Sequence, residues 1–537
     1  IDKIPPHRVL AINRGEKEKQ LKVKITAPDD LVVNKLKSKV ITNENSIFVK
    51  SITETIADSY KRLIFPSIER ELRSILTEKS EDQAIKVFGL NLKNLLLQAP
   101  IKGNSVMGFD PAYRTGCKIA VVDETGKLLE FTTVYPTAPQ NKVKEAKKEL
   151  LELIDKHNVK IIAIGNGTAS RESEVIVAEM IKESGKDVYY TIVNEAGASV
   201  YSVSKLANDE HPDINVSIRG AISIARRLQD PMAELVKIEA KHVGVGQYQH
   251  DVNQKRLDEI LSGVVEDVVN TVGVDLNTAS PALLSYISGV TKPIAKNIVA
   301  YRDELGQFSN RIQLKKVKRL GDKAFEQCAG FLRIDGGDNP LDNTSVHPES
   351  YETTENLIKT LDYNDGDKFI DIEDRIKKTC KMEFDSNKRY NSFDALKALK
   401  NTMPEADKLK KGIKQLATNL EIGEPTLQDI INELTKPGRD IRDEMPKPQF
   451  RSDVLKMEDL KVDMILPGTV RNVVDFGAFV DIGVKQDGLV HISEMSHKYV
   501  KNPMDVLSVG DEVDVKIIGL DIERSKVSLS IKQAIKK

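Results

Sequence analysis

Between residues 468 and 530 apolar and polar positions alternate with a period of two. The runs Gly468-Thr469-Val470, Gly477-Ala478-Phe479-Val480-Asp481, Gly488-Leu489-Val490-His491, Val513-Asp514-Val515-Lys516 and Val527-Ser528-Leu529-Ser530 are separated by glycines or by Asp/Lys-rich turns. This pattern predicts a small antiparallel β-barrel. Residues 7–27 also alternate, on both sides of Arg14-Gly15-Glu16, which predicts a β-hairpin. Residues 52–98 switch to helical spacing. Ala84, Val87, Phe88, Leu92, Leu95 and Leu96 share one apolar face, and Pro100 ends the run.

From 104 to 210 the pattern becomes mixed. Ser105–Asp110, Cys117–Asp123 and Leu128–Tyr135 read as strands, followed by a charged helix over about 140–157. Ile161–Ile164 is a strand, a helix follows from about 171, Val188–Val193 is a strand, and a further helix covers about 197–208. The order β-β-β-α-β-α-β-α is that of a ribonuclease-H-like fold. Residues 256–336 are helical with short hairpins. Residues 342–445 are helical and charged, carry no readable motif, and end in a proline-rich linker at Glu444-Met445-Pro446-Lys447-Pro448.

Two constellations carry chemistry. The first is acidic. Asp110 ends the first strand of the mixed region, with Glu172 and Glu195 after later strands and Asp209 at the end of the last helix read there. A two-metal nuclease needs several carboxylates converging on cations about 3.5–4 Å apart. Asp110 with Glu172 and Glu195 or Asp209 is the candidate set for Mg²⁺, Glu172 reaching inward. Asn166 is neutral where an acid would serve such a site, so the expectation is an incomplete set, no resident cofactor and no nuclease activity. The alternative is a Mg²⁺-dependent nuclease or resolvase. Gly165-Asn166-Gly167, a tight turn before a helix N-terminus, is a place for a phosphate.

The second constellation binds rather than reacts. Ser280-Pro281 starts a helix, Ser288-Gly289-Val290-Thr291 turns, and a second helix runs to Leu305-Gly306; Leu314, Val317, Arg319-Leu320-Gly321 and Ala324-Phe325 repeat the scheme. This is a pair of helix-hairpin-helix elements, whose turns bare backbone amides to a phosphate oxygen. Gly289, Thr291, Lys292, Lys296 and Gly321 are the candidate contacts, with Lys315, Lys316, Lys318 and Arg319 adding local charge. In the barrel, Phe476, Phe479 and His491 place rings on one face of adjacent strands, flanked by Arg471 and Lys498. Such a face suits single-stranded nucleic acid. A small barrel must also fill its interior, which assigns one of the two phenylalanines to the core.

The 537 residues suggest about three or four domains. Charge is balanced, 80 basic against 81 acidic residues, so affinity for nucleic acid has to come from local patches. Cys117, Cys328 and Cys380 form no CxxC pair, which excludes a zinc framework of that kind. No run is long and apolar enough to span a membrane, and a cytoplasmic monomer is expected. The chain opens on Ile1 in mid-pattern, from which a preceding segment is expected.

The barrel stretch resembles an S1 RNA-binding domain, an OB-fold. The whole chain resembles the Tex family of bacterial transcription accessory proteins. The stretches His7–Glu16, Asp110–Lys118, Gly165–Glu172, Val272–Ser280, Asn339–Asp342 and Lys436–Asp440 carry that resemblance. It implies a YqgF-type ribonuclease-H-like unit, a further N-terminal helical region with a helix-turn-helix-like part, and nucleic-acid binding that influences transcription. The expected architecture is multidomain α+β. Residues 1–101 are the end of a helical N-terminal domain with a β-hairpin, 102–230 the ribonuclease-H-like domain, and 231–336 the tandem hairpins. A helical segment and linker, 337–450, precede an OB-fold barrel at 451–537. The expected partners are single-stranded RNA or DNA, with a scaffold for RNA polymerase or the ribosome as a further alternative.

Overall fold

The computed structural model describes residues 3–244, 248–363, 369–379, 405–435, 438, 440–445, 460–484, 487–521 and 526–534. The N-terminal part is built of helices: α1 (Pro6–Lys17), α2 (Asp29–Val40), α3 (Val49–Ser59) and α4 (Phe65–Leu96). A π-helical stretch, Tyr60–Ile64, joins the last two. This corrects the hairpin expected over residues 7–27. Pro6 occupies the first helical turn of α1, where its missing N–H costs nothing. Val9 and Leu10, which a strand would point to opposite faces, are both buried. Asn13 Nδ2 donates to Thr77 Oγ1 at 2.9 Å, and Arg73 pairs with Glu16 at 2.5 Å, so α1 lies along α4. In so short a run the two periodicities overlap, and the neighbouring flank of α4 decides between them.

The ribonuclease-H-like unit has β1 (Val106–Asp110), β2 (Cys117–Val122), β3 (Leu128–Val134), α5 (Val143–His157), β4 (Ile161–Gly165), α6 (Ser170–Ser184) and β5 (Tyr189–Val193). Its sheet runs β3-β2-β1-β4-β5, antiparallel from β3 to β1 and parallel from β1 to β5. The single helix expected over about 197–208 is two, α7 (Ala198–Ser202) and α8 (Lys205–Glu210). Ser204 breaks them apart because its side chain caps α8, accepting from Ala207 N at 3.1 Å. The helix that follows, α9 (Val216–Gln229), was not anticipated. It sets Ile218, Ala221, Ile222, Ile224 and Ala225 against Val106, Ala120, Val122 and Ala163. Gly108 of β1 permits the approach, since a Cβ there would run into Ala221 O. Side chains of α5 and α6 cover the other face.

Next come α10 (Pro231–Leu235) and α11 (Gln254–Val272). A short parallel pair, β6 (Val274–Asp275) with β7 (Leu332–Arg333), brackets α12 (Pro281–Leu284), α13 (Lys292–Leu305), a 3₁₀ turn at Arg311–Lys316 and α14 (Asp322–Cys328). One continuous core joins Leu10, the Phe88–Leu92–Leu95–Leu96 stripe of α4, Leu257, Leu261 and Val265 of α11, and Leu284, Ile298, Leu314 and Phe325 of the hairpins. The N-terminal helices and the hairpins therefore stand on the same hydrophobic foundation.

The helices α15 (Tyr351–Thr360), α16 (Ile372–Thr379), α17 (Glu405–Asn419) and α18 (Glu424–Thr435) share a separate core. Most of the expected linker, 446–448, and Cys380 lie outside the described residues. Cys117 and Cys328 are buried and free. The strands β8 (Ile465–Val474), β9 (Gly477–Asp481), β10 (Gly488–His491), β11 (Glu512–Asp521) and β12 (Lys526–Ser530) close a barrel in the order β10-β12-β11-β8-β9. Among the described residues no helix is long and apolar enough to cross a membrane.

Candidate nucleic-acid interface

The barrel's inward positions are filled by Val470, Val473, Ala478, Val480, Val490, Val515, Ile517 and Leu529. Neither phenylalanine is among them, which corrects the assignment of one to the core. Aliphatic side chains fill the interior, and Phe476 and Phe479 are left half-buried on the outer wall. Their rings meet edge to face, with centroids 6.3 Å apart and planes at 85°. Cross-strand pairing sets Leu489 opposite Phe479 and His491 opposite Gly477. Phe479, Leu489 and His491 thus share one face by strand alternation. The exposed His491 accepts from Ser493 N through Nδ1 at 3.3 Å.

The flanking cations divide. Arg471 is pinned to the buried Asp481 at 2.7 Å, so its charge is already matched within the barrel. Lys498 is exposed. Beside it stands Tyr499, 93% exposed, an aromatic between two lysines that the sequence reading passed over. Its signal was the cluster His497-Lys498-Tyr499-Val500-Lys501, which lies outside the alternating runs.

The hairpins pack reciprocally. Gly289 turns with φ +79°, and a Cβ on it would stand 2.7 Å from Gln327 Cβ and 3.0 Å from Ala324 O of α14. In return, Asn297 of α13 donates to Lys318 O in the second turn at 2.7 Å. At the position matching Gly289 the second turn carries Arg319, also left-handed at φ +70°. Thr291 and Gly321 are the N-caps of α13 and α14, and neither provides a side-chain cap bond. Lys292, Lys296, Lys316, Lys318 and Arg319 are exposed along these two turns. Lys315 is held by Asp322 at 3.5 Å and lies over the Phe325 ring.

The acidic candidates do not converge as a set. Asp110 and Glu195 come together at the carboxyl ends of β1 and β5. Burial, followed by the charge of Glu195, pushes the Asp110 carboxyl up to about 7 against the pull of Lys118. Burial also raises Glu195, opposed by a Gly167 amide and by Arg227. Glu172, expected to reach inward, is exposed on the first turn of α6 and accepts from Tyr113 OH at 3.0 Å. Asp209 is exposed on α8, which is followed by α9, so it does not end the unit's last helix. The helix beneath Asp110 offers Gly220, whose Cβ position lies 2.8 Å from Asp110 Oδ2.

Among the described residues no group of three or more His, Cys, Asp or Glu side chains is arranged to hold a metal. The cations nearest this pair are Lys118 on the Asp110 side and Arg227 on the Glu195 side. The Gly165-Asn166-Gly167 turn is also not open to a phosphate. The Glu195 carboxylate fills it, lying where Cβ atoms of both glycines would be and taking the Gly167 amide. Asn166 Oδ1 accepts from Glu195 N at 3.1 Å, so the neutral side chain positions the acid instead of replacing one.

Comparison with known families agrees with this layout. Residues 104–229 match the Tex protein YqgF-like domain, 1–88 the Tex central region-like family, 269–333 a helix-hairpin-helix motif, and 459–532 the S1 RNA binding domain. A Bacillus subtilis protein named only as uncharacterized protein YdcI is 52% identical over 99% of this chain and 70% of its own length. Protein tex of Bordetella pertussis is 45% identical over 98% of this chain and 64% of its own. The chain belongs to the Tex family.

A further Tex relative, the transcriptional accessory protein Tex of Neisseria gonorrhoeae, is 44% identical over 98% of this chain and 66% of its own length. The Tex chain described here thus spans about two thirds of the curated relatives it matches. Residues 339–393 and 390–442 match an HHH domain, where the sequence reading found no motif. The buried Ile430, Ile431 and Leu434 and the caps around Asn339–Asp342 give that region its own core. Between α17 and α18 the turn Glu421-Ile422-Gly423 repeats the form of Arg319-Leu320-Gly321, with Glu421 left-handed at φ +55°.

Proposed function

We propose that this Tex-family chain binds single-stranded RNA or DNA across the barrel face and steadies the nucleic-acid backbone with its hairpins, without cutting it, as a cytoplasmic accessory to transcription. The observation that carries this reading is the row Phe479–Leu489–His491 on the outer wall of a closed barrel whose interior is already filled. Rings that are not needed for packing are available to bases, and stacking on them is tolerant of sequence. Hairpin amides and exposed lysines add contacts that hold phosphates without reading bases. The name of the gonococcal relative supports a setting in transcription.

The ribonuclease-H-like unit is read as non-cleaving from its carboxylates. A nuclease would need more anionic ligands than Asp110 and Glu195 supply. The deciding experiment offers labelled single-stranded RNA, duplex DNA and a four-way junction to this chain and to Asp110→Asn, with Mg²⁺ or Mn²⁺ present. Binding without cleavage by both proteins is expected. Cleavage that Asp110→Asn abolishes would replace this reading with a metal-dependent nuclease.

A further inference from the structure

The barrel does not stand clear of the rest of the chain. The turn between β8 and β9 is seated on α1 and α4. The Phe476 ring meets the His7 imidazole edge-on, with centroids 5.2 Å apart and planes at 60°. Gln83 Nε2 donates to Asp475 at 3.3 Å, and Asn91 Nδ2 donates to Asn472 Oδ1 at 2.7 Å and to Val473 O at 3.1 Å. Asn91 is fully buried by this contact. A small cavity of about 10 Å³ lies between Pro6, His7, Ala84, Val87 and Asp475 at this contact.

We propose that this seat is an autoinhibitory contact: α1 and α4 cover the Phe476 end of the barrel's stacking face, and a single strand that occupies both phenylalanines must first displace them. The proposal rests on the reading that Phe476 and Phe479 stack bases. Three features make the seat reversible. The barrel's hydrophobic core is separate from the core that α4 shares with the hairpins, so no common core has to be opened. The bonds across the seat come from amide side chains, and each contributes little net stability because water replaces it on opening. The ring contact of His7 is one that a base can replace in kind. Phe479 and Leu489 lie further along the face, so a strand has a first foothold before it reaches Phe476.

Occlusion of this kind lowers apparent affinity by the fraction of molecules that are open, and weakening the seat restores it. The test measures binding of a short labelled single-stranded RNA to the full chain and to His7→Ala, Gln83→Ala and Phe479→Ala, after thermal melting has confirmed that each folds. His7 and Gln83 approach the turn from different helices, so one folded variant suffices. With stacking and occlusion both correct, Phe479→Ala weakens binding, while His7→Ala or Gln83→Ala tightens it by roughly threefold to thirtyfold. Weakening by Phe479→Ala with unchanged or reduced affinity in the seat variants overturns the autoinhibition and leaves stacking intact. No effect of Phe479→Ala overturns the stacking reading and the proposal with it.

Discussion

Arg442 grips both carboxylate oxygens of Asp230, 212 positions earlier in the chain, at 2.7 and 3.2 Å. The same guanidinium holds Asp440 at 2.8 Å, and its side chain is only 5% exposed. Asp230 in turn caps α10, accepting from Ala233 N at 3.0 Å. One buried cation therefore ties the end of the ribonuclease-H-like unit to the segment that leads to the barrel.

Replacing Arg442 by Met should strand the largely buried Asp440 carboxylate and unpair Asp230, which is one-third exposed. Breaking a buried ion pair from one side typically costs about 3–5 kcal/mol. Arg442→Met is expected to lower the melting temperature clearly, and Arg442→Lys less. A melt indistinguishable from the parent would show that the clasp does not hold these parts together.

The Asp110 carboxyl gives stability a pH dependence of known sign. Its proton is held up to about 7 in the folded chain but released near the ordinary value of 3.8 when unfolded. Its contribution is complete below about pH 4 and is lost as pH rises through about 7. At about 1.4 kcal/mol per unit, the shift corresponds to about 4 kcal/mol at most. Asp110→Asn, which cannot ionise, should melt higher than the parent above neutrality, with the gap closing toward about pH 4. A gap independent of pH would contradict the assignment.

The two hairpin turns should answer substitution in opposite ways. Gly289→Ala adds a Cβ at φ +79° against α14, and left-handed backbone alone costs about 1–2 kcal/mol. It should destabilise the hairpin pair by at least that amount. Arg319→Gly relieves the same conformation at φ +70° and should leave stability unchanged or raise it by up to about 1 kcal/mol. It should still weaken duplex binding and reduce the salt slope by about 1, because an exposed cation is lost. Binding isotherms over a salt series check both halves.

Phe479 is the ring on the barrel face that pairs with Leu489 across the sheet. A stacked base contributes about 1–3 kcal/mol, so Phe479→Ala should weaken single-strand binding by roughly 5- to 150-fold. Because its ring lies outside the barrel core, the melt should change little. An unaltered affinity in a folded variant would remove Phe479 from the interface.

The barrel and the ribonuclease-H-like sheet were legible because their strands carry strong local signals. Alternation at 468–530 set which side of each strand faces inward, and the buried runs at Val106–Asp110 and Ile161–Gly165 marked the central strands. The hairpins were legible from Ser280-Pro281 and Gly289, residues whose backbone preferences act locally. The start of α1 was not legible, because whether Val9 and Leu10 sit on a helix depends on α4, seventy-odd positions on. The acidic candidates divided for the same reason. Sequence shows that Asp110, Glu172, Glu195 and Asp209 follow elements of one unit, but where each carboxylate points depends on how α6, α8 and α9 pack on the sheet.

By itself, then, the sequence determined which segments are strands or helices wherever short-range patterning was strong, and hence the order of domains and the family. Only the tertiary structure decided that Glu195 fills the turn held for a phosphate, that Arg471 is matched by Asp481, and that Phe476 meets His7. Backbone preference and hydrophobic period are properties of neighbours in the chain. The surroundings of a charge or a ring are set by residues brought close only when the chain has packed.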